Sequence, residues 1–283
     1  MLVSELASRL RARLETKFPK TEAREMVNII FENLKGWTMT DVLVNGDRDV
    51  TDYIVGKAND VVEKVLENEP IQYVFGSAHF YGMVFKVNRS TLIPRQETAQ
   101  LVDMIVKDWD GTTDLQVLDL GTGSGCIAIA LARNLPFAAV TGVDISEDAL
   151  KVAAENADKL RAKVKLLRAD MLALPAEASP HYDIIVSNPP YIAESEAAQM
   201  DRNVLDYEPH TALFVPDADP LKFYKAAAVY AKSALKPGGK IYFEINPLFA
   251  NDLVGFMEGE GWTDVTLERD MQKQYRFLVA SHQ

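Results

Sequence analysis

Apolar residues near the start of the chain recur with helical spacing. Leucines stand at four-residue steps, which places them on one helix face: Leu2, Leu6, Leu10 and Leu14. Similar patterns run from about Thr21 to Lys35 and from about Thr51 to Glu67. We therefore predict a small helical bundle over residues 1–75. No catalytic cluster stands out in it, so we expect a scaffold or a module that docks a substrate or partner.

Residues 71 to 95 are rich in aromatic and β-branched side chains broken by glycines, a composition typical of short strands. We expect the stretch 71–76 to belong to this β-rich region and residues 76–95 to form a hairpin linker. The linker has three cations and no acid: Lys86, Arg89 and Arg95. This charge pattern is typical either of an ordinary surface loop or of a basic strip that faces an acidic or ribosomal partner.

From residue 96 onward, apolar runs of strand length alternate with amphipathic helical patterns. This alternation predicts an α/β domain over residues 96–283, with a mostly parallel seven-stranded sheet covered on both faces. The last two runs are separated by a short polar stretch, so we expect an antiparallel pair at one edge. The segment from Glu194 to Pro220 is predicted to be a long acidic loop: a lid, a binding loop, or disordered.

Composition and charge narrow the functions open to such a chain. A formal charge of −11 disfavours a protein whose main task is to grip nucleic-acid phosphates. The single cysteine, Cys126, excludes an intramolecular disulfide and a cysteine-based zinc site. The four histidines are scattered, so we expect no metal. The first residues lack a secretory pattern and no apolar run has the length of a membrane span, so we expect a cytoplasmic protein.

A glycine-rich turn follows the first strand of the predicted sheet. The strand ends near Asp119, and five residues then open a helix with Gly-x-Gly-x-Gly spacing: Gly121, Thr122, Gly123, Ser124 and Gly125. Glycines let backbone N–H groups approach a ligand closely. The spacing is one residue tighter than the dinucleotide fingerprint. Asp119 would repel a pyrophosphate but would attract an amino group or a positive centre.

The next two strands also end in acids. Asp144 follows the second strand, where a carboxylate can accept both hydroxyls of a ribose. Asp170 follows the third strand and can accept from an adenine amino group, while Met171 can pack on the ring. Each acid alone is more often an ordinary strand-end or cap residue. Three acids on one sheet edge favour a ligand site.

These residues resemble the cofactor site of the Rossmann-like S-adenosylmethionine-dependent methyltransferases. That cofactor carries a sulfonium, an ammonium, a ribose and an adenine but no phosphate, which agrees with the acid before the glycine loop. The resemblance implies S-adenosylmethionine as cofactor and S-adenosylhomocysteine as product.

A stiff polar turn follows the fourth strand. It holds Asn188, Pro189, Pro190 and Tyr191, and two consecutive prolines cannot continue a sheet. The side-chain oxygen of Asn188 and the carbonyl of Pro189 are two acceptors, and Tyr191 adds a flat ring with a polar tip. Such a set suits a planar substrate that bears an –NH2 group. We predict that all four residues bind substrate, that Asn188, Pro189 and Tyr191 are catalytic, and that Asn188 also contacts the cofactor.

The Asn-Pro-Pro-Tyr stretch resembles amino-methyltransferases that act on adenine, cytosine or protein glutamine. Three other stretches resemble the release factor glutamine methyltransferase family: residues 69–76, 91–98 and 207–213. With the helical N-terminal module, the resemblance covers nearly the whole chain. The chain departs from the family pattern at three positions. Gln96 stands where Pro is usual, Ala99 where Glu is usual, and Lys273 where Gly is usual.

The resemblance implies methyl transfer to the side-chain amide nitrogen of the glutamine in the Gly-Gly-Gln motif of class I peptide chain release factors. The nearer alternative is a glutamine of a ribosomal protein. An adenine-N6 nucleic acid methyltransferase would normally carry a larger basic region, and a non-enzymatic cofactor-binding module has no need of the Asn188 to Tyr191 motif. We expect a monomer whose partner is the release factor, without direct nucleic-acid or membrane contact.

Overall fold

The structure is a computed structural model that describes residues 1–175 and 181–282. The chain divides into two compact units. The smaller, the helical unit, comprises Met1–Gly76 together with Asp201–Tyr207. The larger, the sheet unit, comprises Ser77–Met200 and the chain from Glu208 onward.

Five helices from the first part of the chain build the helical unit: α1 (Val3–Leu14), α2 (Lys20–Lys35), α3 (Met39–Val44), α4 (Asp52–Leu66) and α5 (Ile71–Phe75). The leucine series packs as its spacing predicts, because Leu6, Leu10 and Leu14 are each 0% exposed. They share one apolar cluster with Phe31 of α2 and Val62 of α4. This unit therefore has its own hydrophobic core.

The expectation of β-structure over residues 71–76 is wrong, because Ile71–Phe75 is a helix. Its flanking residues outweigh its β-branched and aromatic composition. Pro70 precedes the helix with extended backbone, and Gly76 ends it in the left-handed conformation, with its N–H bonded to carbonyls of the last turn. Ile71 is buried in the core of the helical unit, so packing also favours the helix.

The predicted hairpin lies at the start of the sheet unit. Strands β1 (Ser77–Phe80) and β2 (Met83–Lys86) pair antiparallel across a two-residue turn. Phe80 and Phe85 of this hairpin are buried and meet edge to face. Both side chains belong to one apolar cluster of the sheet unit, which fixes the hairpin to that unit.

The central sheet has seven strands: β3 (Gln116–Leu120), β4 (Ala139–Asp144), β5 (Val164–Arg168), β6 (Tyr182–Ser187), β9 (Leu235–Glu244), β10 (Thr263–Arg269) and β11 (Tyr275–Ser281). Their order is β10-β11-β9-β6-β3-β4-β5. The five strands from β9 to β5 are parallel, and β11 runs antiparallel to both of its neighbours. The predicted mostly parallel sheet with an antiparallel edge pair is confirmed.

Helices cover both faces of this sheet: α6 (Gln96–Asp108), α7 (Cys126–Asn134), α8 (Glu147–Lys159), α10 (Lys222–Ala234) and α11 (Ala250–Gly259). Successive residues of a strand enter two different apolar clusters, as strand geometry requires. Ile185 packs with α10 and α11, whereas Ile184 and Val186 pack with α6 and α7. The core is therefore two layers, one on each side of the sheet.

The chain reverses its direction of travel across the sheet at β3. Strands β4 and β5 follow on one side, whereas β6 and β9 lie on the other side. In an open α/β sheet, the crevice at the carboxyl ends of the strands beside such a switch is where ligands bind. The topology therefore points to the ends of β3, β4 and β6.

The predicted long loop after Tyr191 has structure of its own. It contains a short 3₁₀ helix, Glu194–Gln199, and the helix α9 (Arg202–Tyr207). Two short strands lie before and after these helices: β7 (Ile192–Ala193) and β8 (Phe214–Val215). Strands β7 and β8 pair parallel. Helix α9 belongs to the helical unit, where the Tyr207 hydroxyl donates to the Glu67 carbonyl at 3.3 Å.

Among the described residues, none of the helices combines the length and apolar character needed to cross a membrane.

We predict that Gly125, at the start of α7, cannot be replaced by alanine without a clear loss of stability. Its φ of +80° is left-handed, and an added Cβ would lie 3.0 Å from Ile129 Cδ1 and 3.2 Å from Ala153 Cβ. Backbone strain and crowding together should lower the free energy of unfolding by about 2–4 kcal/mol in urea denaturation. The matched control is Gly111→Ala, because Gly111 has φ +77° with no atom within 4 Å of the added Cβ. It should lose only about 1 kcal/mol, and equal losses in the two variants would exclude the crowding.

Candidate active site

A cavity of about 490 Å³ lies at the carboxyl ends of β3 to β6, within the sheet unit. Its volume falls in the range of about 300–1,000 Å³ typical of small-molecule sites. Most residues that the sequence singled out line it: Gly121, Thr122, Gly123, Ser124, Asp144, Asp170, Met171, Asn188 and Pro190. Four others do not line its wall: Asp119, Gly125, Pro189 and Tyr191.

Asp119 lies behind the glycine loop and is 0% exposed. Its Oδ2 accepts from the Thr122 hydroxyl at 2.6 Å and from the Ala128 N–H at 3.2 Å, which ties the loop to the first turns of α7. Its Oδ1 has no hydrogen-bond partner in the described part of the chain. Burial raises the pKa of this carboxyl to about 7. A direct contact between Asp119 and a ligand stays a prediction.

The glycine loop is held against the end of β4. The backbone N–H groups of Gly121 and Thr122 donate to the Val143 carbonyl at 2.8 and 2.9 Å. Asp144 accepts the Gly123 N–H on Oδ2 and the Ser146 N–H on Oδ1, each at 2.8 Å. Each carboxylate oxygen keeps a second lone pair for a ligand. The loop is thus shaped by the protein itself.

Close packing also depends on the absence of a side chain at Gly142 on β4. A Cβ there would meet the Thr122 hydroxyl oxygen at 2.8 Å. The loop can therefore approach β4 only because that position is glycine.

The third strand end supplies a mixed polar and apolar wall. Asp170 accepts the Leu172 N–H on Oδ1 at 2.9 Å and so caps the single turn Met171–Ala173. Met171 is nearly buried at the cavity wall. Ile145, which the sequence reasoning missed, also lines the cavity and is 57% exposed. Its position directly after the strand-end Asp144 was the available signal.

Asn188 projects from the end of β6 with its amide held in one direction. Its Nδ2 donates to the hydroxyl of Thr98 at 3.1 Å. Within the described residues no donor reaches its Oδ1. The neighbouring Pro189 is buried, and the preceding Ser187 hydroxyl donates to the Leu120 carbonyl at 2.6 Å. The turn therefore offers a fixed carboxamide with its oxygen unused.

Two further residues that the sequence reasoning missed support this turn from below. Glu244, at the end of β9, is 1% exposed. Its Oε2 accepts from the Thr98 hydroxyl at 2.7 Å, and its Oε1 accepts from the Tyr191 hydroxyl at 3.1 Å. A polar residue at a core-facing helical position and an acid in an apolar strand were the available signals. Thr98 shares its helix face with buried apolar residues: Leu101, Val102 and Ile105.

The Tyr191 phenol is not available as a base. Burial, followed by the negative charge of Glu244, raises its pKa well above the ordinary value. The phenol therefore stays protonated at neutral pH and donates a hydrogen bond to Glu244. Within the described residues no cluster of His, Cys, Asp or Glu could hold a metal ion.

Two of the three cations of the hairpin segment form ion pairs within the sheet unit. Lys86 forms an ion pair with Glu155, and Arg95 forms one with the buried Glu208. Glu208 also accepts the Ile93 N–H at 3.0 Å, so it fixes the chain beside the cavity. Glu155 and Glu208 thus offset the charge of Lys86 and Arg95, and the basic strip stays a prediction.

Comparison with known proteins identifies the class. One family model, described as a methyltransferase domain, matches residues 112–250, and another, described as the PrmC N-terminal domain, matches residues 5–76. The seven-stranded sheet with its glycine loop and acidic strand ends defines a Rossmann-like methyltransferase that depends on S-adenosylmethionine.

Two relatives identify the family. The release factor glutamine methyltransferase of Bacteroides thetaiotaomicron is 40% identical over 99% of this chain and 100% of its own length. That of Flavobacterium psychrophilum is 36% identical over 98% of each chain. The chain belongs to the release factor glutamine methyltransferase family. A solved structure shares the fold: the T. thermophilus 16S rRNA N2 G1207 methyltransferase in complex with AdoMet and guanosine. The two chains are 22% identical, the match covers 73% of this chain and 50% of that chain, and the TM-score is 0.52.

The residues at the cavity fit S-adenosylmethionine. At the wall, the carboxylates of Asp144 and Asp170 favour a ligand that carries positive charge. Behind the glycine loop, the buried Oδ1 of Asp119 lacks a partner among the described residues. No atom lies within 4 Å of the place a Cβ of Gly123 would take, which leaves room beside the loop.

We predict that Asp119 makes stability fall as the pH rises. Its pKa is raised from 3.8 to about 7 by folding, so between these values the folded state holds a proton that the unfolded state has lost. Relative to Asp119→Asn, which is neutral at every pH, the wild type should lose up to about 4 kcal/mol of unfolding free energy across this window and stay level above it. Urea denaturation at several pH values measures the difference.

Asp158→Asn is the control, because Asp158 is exposed on α8. It makes the same replacement of a carboxylate by an amide at a solvent-exposed position. If the difference in unfolding free energy between Asp119→Asn and the wild type stays constant with pH, the raised pKa of Asp119 is contradicted.

Proposed function

We propose that this enzyme transfers a methyl group from S-adenosylmethionine to the side-chain amide nitrogen of the glutamine in the Gly-Gly-Gln motif of class I release factors. One observation carries the proposal. Asn188 holds an unused carboxamide oxygen at the wall of a cavity of cofactor size. The names of the relatives support the choice of substrate.

The cofactor would be held by the residues of the three strand ends. Asp144 would accept from the ribose hydroxyls, Asp170 would accept from the adenine amino group, and Met171 would pack on the ring. The glycine loop and Asp119 would receive the amino-acid part of the ligand. When bound, S-adenosylmethionine supplies a methyl group activated by positively charged sulfur.

The protein's own contribution to catalysis would be to hold the substrate amide. An amide nitrogen is a weak nucleophile because its lone pair is delocalised into the carbonyl. Asn188 Oδ1 and the Pro189 carbonyl would each accept one amide hydrogen and so fix the plane of the –NH2 group. Positioning of this kind supplies about 7–11 kcal/mol in the best model reactions. Pro190 and Tyr191 would pack beside the amide, and the surplus proton would leave to water.

The same contacts would set the chemical selectivity. A glutamate in place of the glutamine offers no N–H groups, so two acceptors in the site would be left unpaired and would face a carboxylate. Leaving buried polar groups unpaired costs about 1–3 kcal/mol each. The site would therefore reject a substrate of the same shape without the –NH2 group.

The two compact units would divide the task. The helical unit would dock the release factor, and the sheet unit would carry out methyl transfer. The net charge of −11 supports a protein partner over a nucleic acid. We extend the proposal to a monomer that works in the cytoplasm, where release factors act.

We predict that purified enzyme with S-adenosylmethionine adds one methyl group to the glutamine of the Gly-Gly-Gln motif in unmethylated release factor. Tandem mass spectrometry of the proteolysed release factor locates the methyl group. A Gly-Gly-Glu variant of the release factor should stay unmodified, because it lacks the –NH2 group. Methylation of a ribosomal protein or of adenine in nucleic acid, with none on the release factor, would overturn the proposal.

The matching enzyme variant in this experiment is Asn188→Ala. It should lower kcat by at least about 100-fold, since it removes one of two contacts that hold the amide. Its affinity for the cofactor, measured by calorimetry, should remain close to that of the wild type. Asn134→Ala is the control, because the Asn134 side chain donates within α7 to the Ala130 carbonyl. Near-normal kcat in Asn188→Ala would contradict the role of Asn188.

A further inference from the structure

The carboxamide of Asn188 has two orientations of nearly equal shape, related by exchange of its oxygen and nitrogen. With the oxygen toward the substrate, it accepts a hydrogen from an –NH2 group. With the nitrogen toward the substrate, it presents a second –NH2 group, and the two donors repel each other. The inference below rests on the proposed function, in which the acceptor orientation is the productive one.

The hydrogen-bond directions around Thr98 select between these orientations. An ionised carboxylate only accepts, so Glu244 takes the hydroxyl proton of Thr98 on Oε2 at 2.7 Å. A hydroxyl has one proton, so Thr98 can then only accept from its other neighbour. That neighbour is Asn188, whose Nδ2 donates to Thr98 Oγ1 at 3.1 Å.

The second carboxylate oxygen of Glu244 also acts as a hydrogen-bond acceptor. Its Oε1 accepts from the Tyr191 hydroxyl at 3.1 Å. Tyr191 itself is held by its backbone, since Asn246 Nδ2 donates to the Tyr191 carbonyl at 3.1 Å. One buried carboxylate therefore sets the donor direction on both ends of the Asn188 to Tyr191 turn.

We propose that Thr98 and Glu244 are positioning residues, which fix the direction of the hydrogen bonds so that Asn188 presents its oxygen, and not its nitrogen, to the substrate amide. Neither residue needs to touch the reacting atoms to act in this way. The chain of contacts joins three separate elements: α6 through Thr98, β9 through Glu244, and the end of β6 through Asn188.

Protonation of Glu244 would remove this constraint. A protonated carboxyl can donate to Thr98, whose own proton is then free to point at Asn188 and to favour the wrong orientation. Burial raises the pKa of Glu244, while Thr98, Tyr191 and Arg276 oppose the rise. The titratable groups around it are Glu97, Cys126, Tyr191, Tyr224 and Arg276, the last paired with Asp270 at 3.2 Å.

The Tyr191 and Tyr224 phenols and the Cys126 thiol all keep their protons near neutral pH. Burial raises the pKa of both tyrosines well above the ordinary value and that of Cys126 to about 12. Asp119 does titrate near pH 7, so it contributes to any pH profile of this site. The informative comparison is therefore between enzymes that all keep Asp119.

The interface between α6 and β9 offers a matched control. Further along the same two elements, the Tyr242 hydroxyl donates to Asp108 Oδ2 and accepts from Trp109 Nε1, each at 2.9 Å. This is also a partly buried hydroxyl between α6 and β9, but it does not line the cavity. Tyr242→Phe removes a contact of the same kind without touching Asn188.

The test compares kcat, KM and cofactor affinity for four enzymes on unmethylated release factor: wild type, Thr98→Val, Thr98→Ser and Tyr242→Phe. Thr98→Val should lower kcat by about 10- to 100-fold, with KM and cofactor affinity changed far less. Thr98→Ser keeps the hydroxyl and should restore kcat to within roughly threefold of the wild type. Tyr242→Phe should leave kcat unchanged.

The pH profile supplies a readout that packing alone would not move. In the wild type, kcat should fall at low pH as Glu244 is protonated. In Thr98→Val the hydrogen bonds that link Glu244 to Asn188 are lost, so the decrease of kcat caused by protonation of Glu244 should be absent. Equal kcat in Thr98→Val and Tyr242→Phe would overturn the proposal. So would a Thr98→Ser enzyme as defective as Thr98→Val, or an unchanged acid limb in Thr98→Val.

A second measurement separates this inference from the proposed function. In ¹⁵N-asparagine-labelled enzyme, the Asn188 carboxamide signal is identified by its loss in Asn188→Ala. It should shift as Glu244 is protonated in the wild type and stay unmoved in Thr98→Val. If the wild type does not methylate release factor, the proposed function fails, while this signal still decides whether Glu244 controls Asn188. The same response in both enzymes would refute the inference.

Discussion

Parallel strands bring all their carboxyl ends to one edge of a sheet, and the site depends on this constraint. Asp144, Asp170 and Asn188 are far apart in sequence, yet they line one cavity because β4, β5 and β6 all run in the same direction. The reversal of the chain at β3 opens the crevice between the loops. The sheet thus places the proposed cofactor-binding residues beside the Asn188 to Tyr191 turn.

The sequence predicted the elements that local patterns control. The alternation of strands and helices from residue 96 and the leucine series of α1 are both confirmed, because burial of one face imposes each period. The stretch 71–76 was predicted wrongly, since its caps and its packing outweigh its β-branched composition. Helix α9 was missed because a segment of six helical residues shows no clear period.

In the site, too, residues marked by local sequence patterns were predicted, and residues brought together by packing were not. The glycine loop and strand-end residues were visible in sequence, because each stands next to the end of an apolar run. Thr98 and Glu244 were not, since they lie 146 positions apart and meet only through packing of α6 on β9. A buried acid is costly unless its oxygens accept hydrogen bonds. Glu244 meets that requirement with two hydroxyls, and in doing so it sets the direction in which Asn188 can donate.

The most direct test of the central claim is a crystal structure of the enzyme with S-adenosylhomocysteine and a Gly-Gly-Gln peptide. We predict that the glutamine side-chain nitrogen lies within hydrogen-bond distance of both Asn188 Oδ1 and the Pro189 carbonyl, while Asn188 Nδ2 still donates to Thr98. A glutamine whose carbonyl oxygen faces Asn188 instead, with Nδ2 turned away from Thr98, would contradict it.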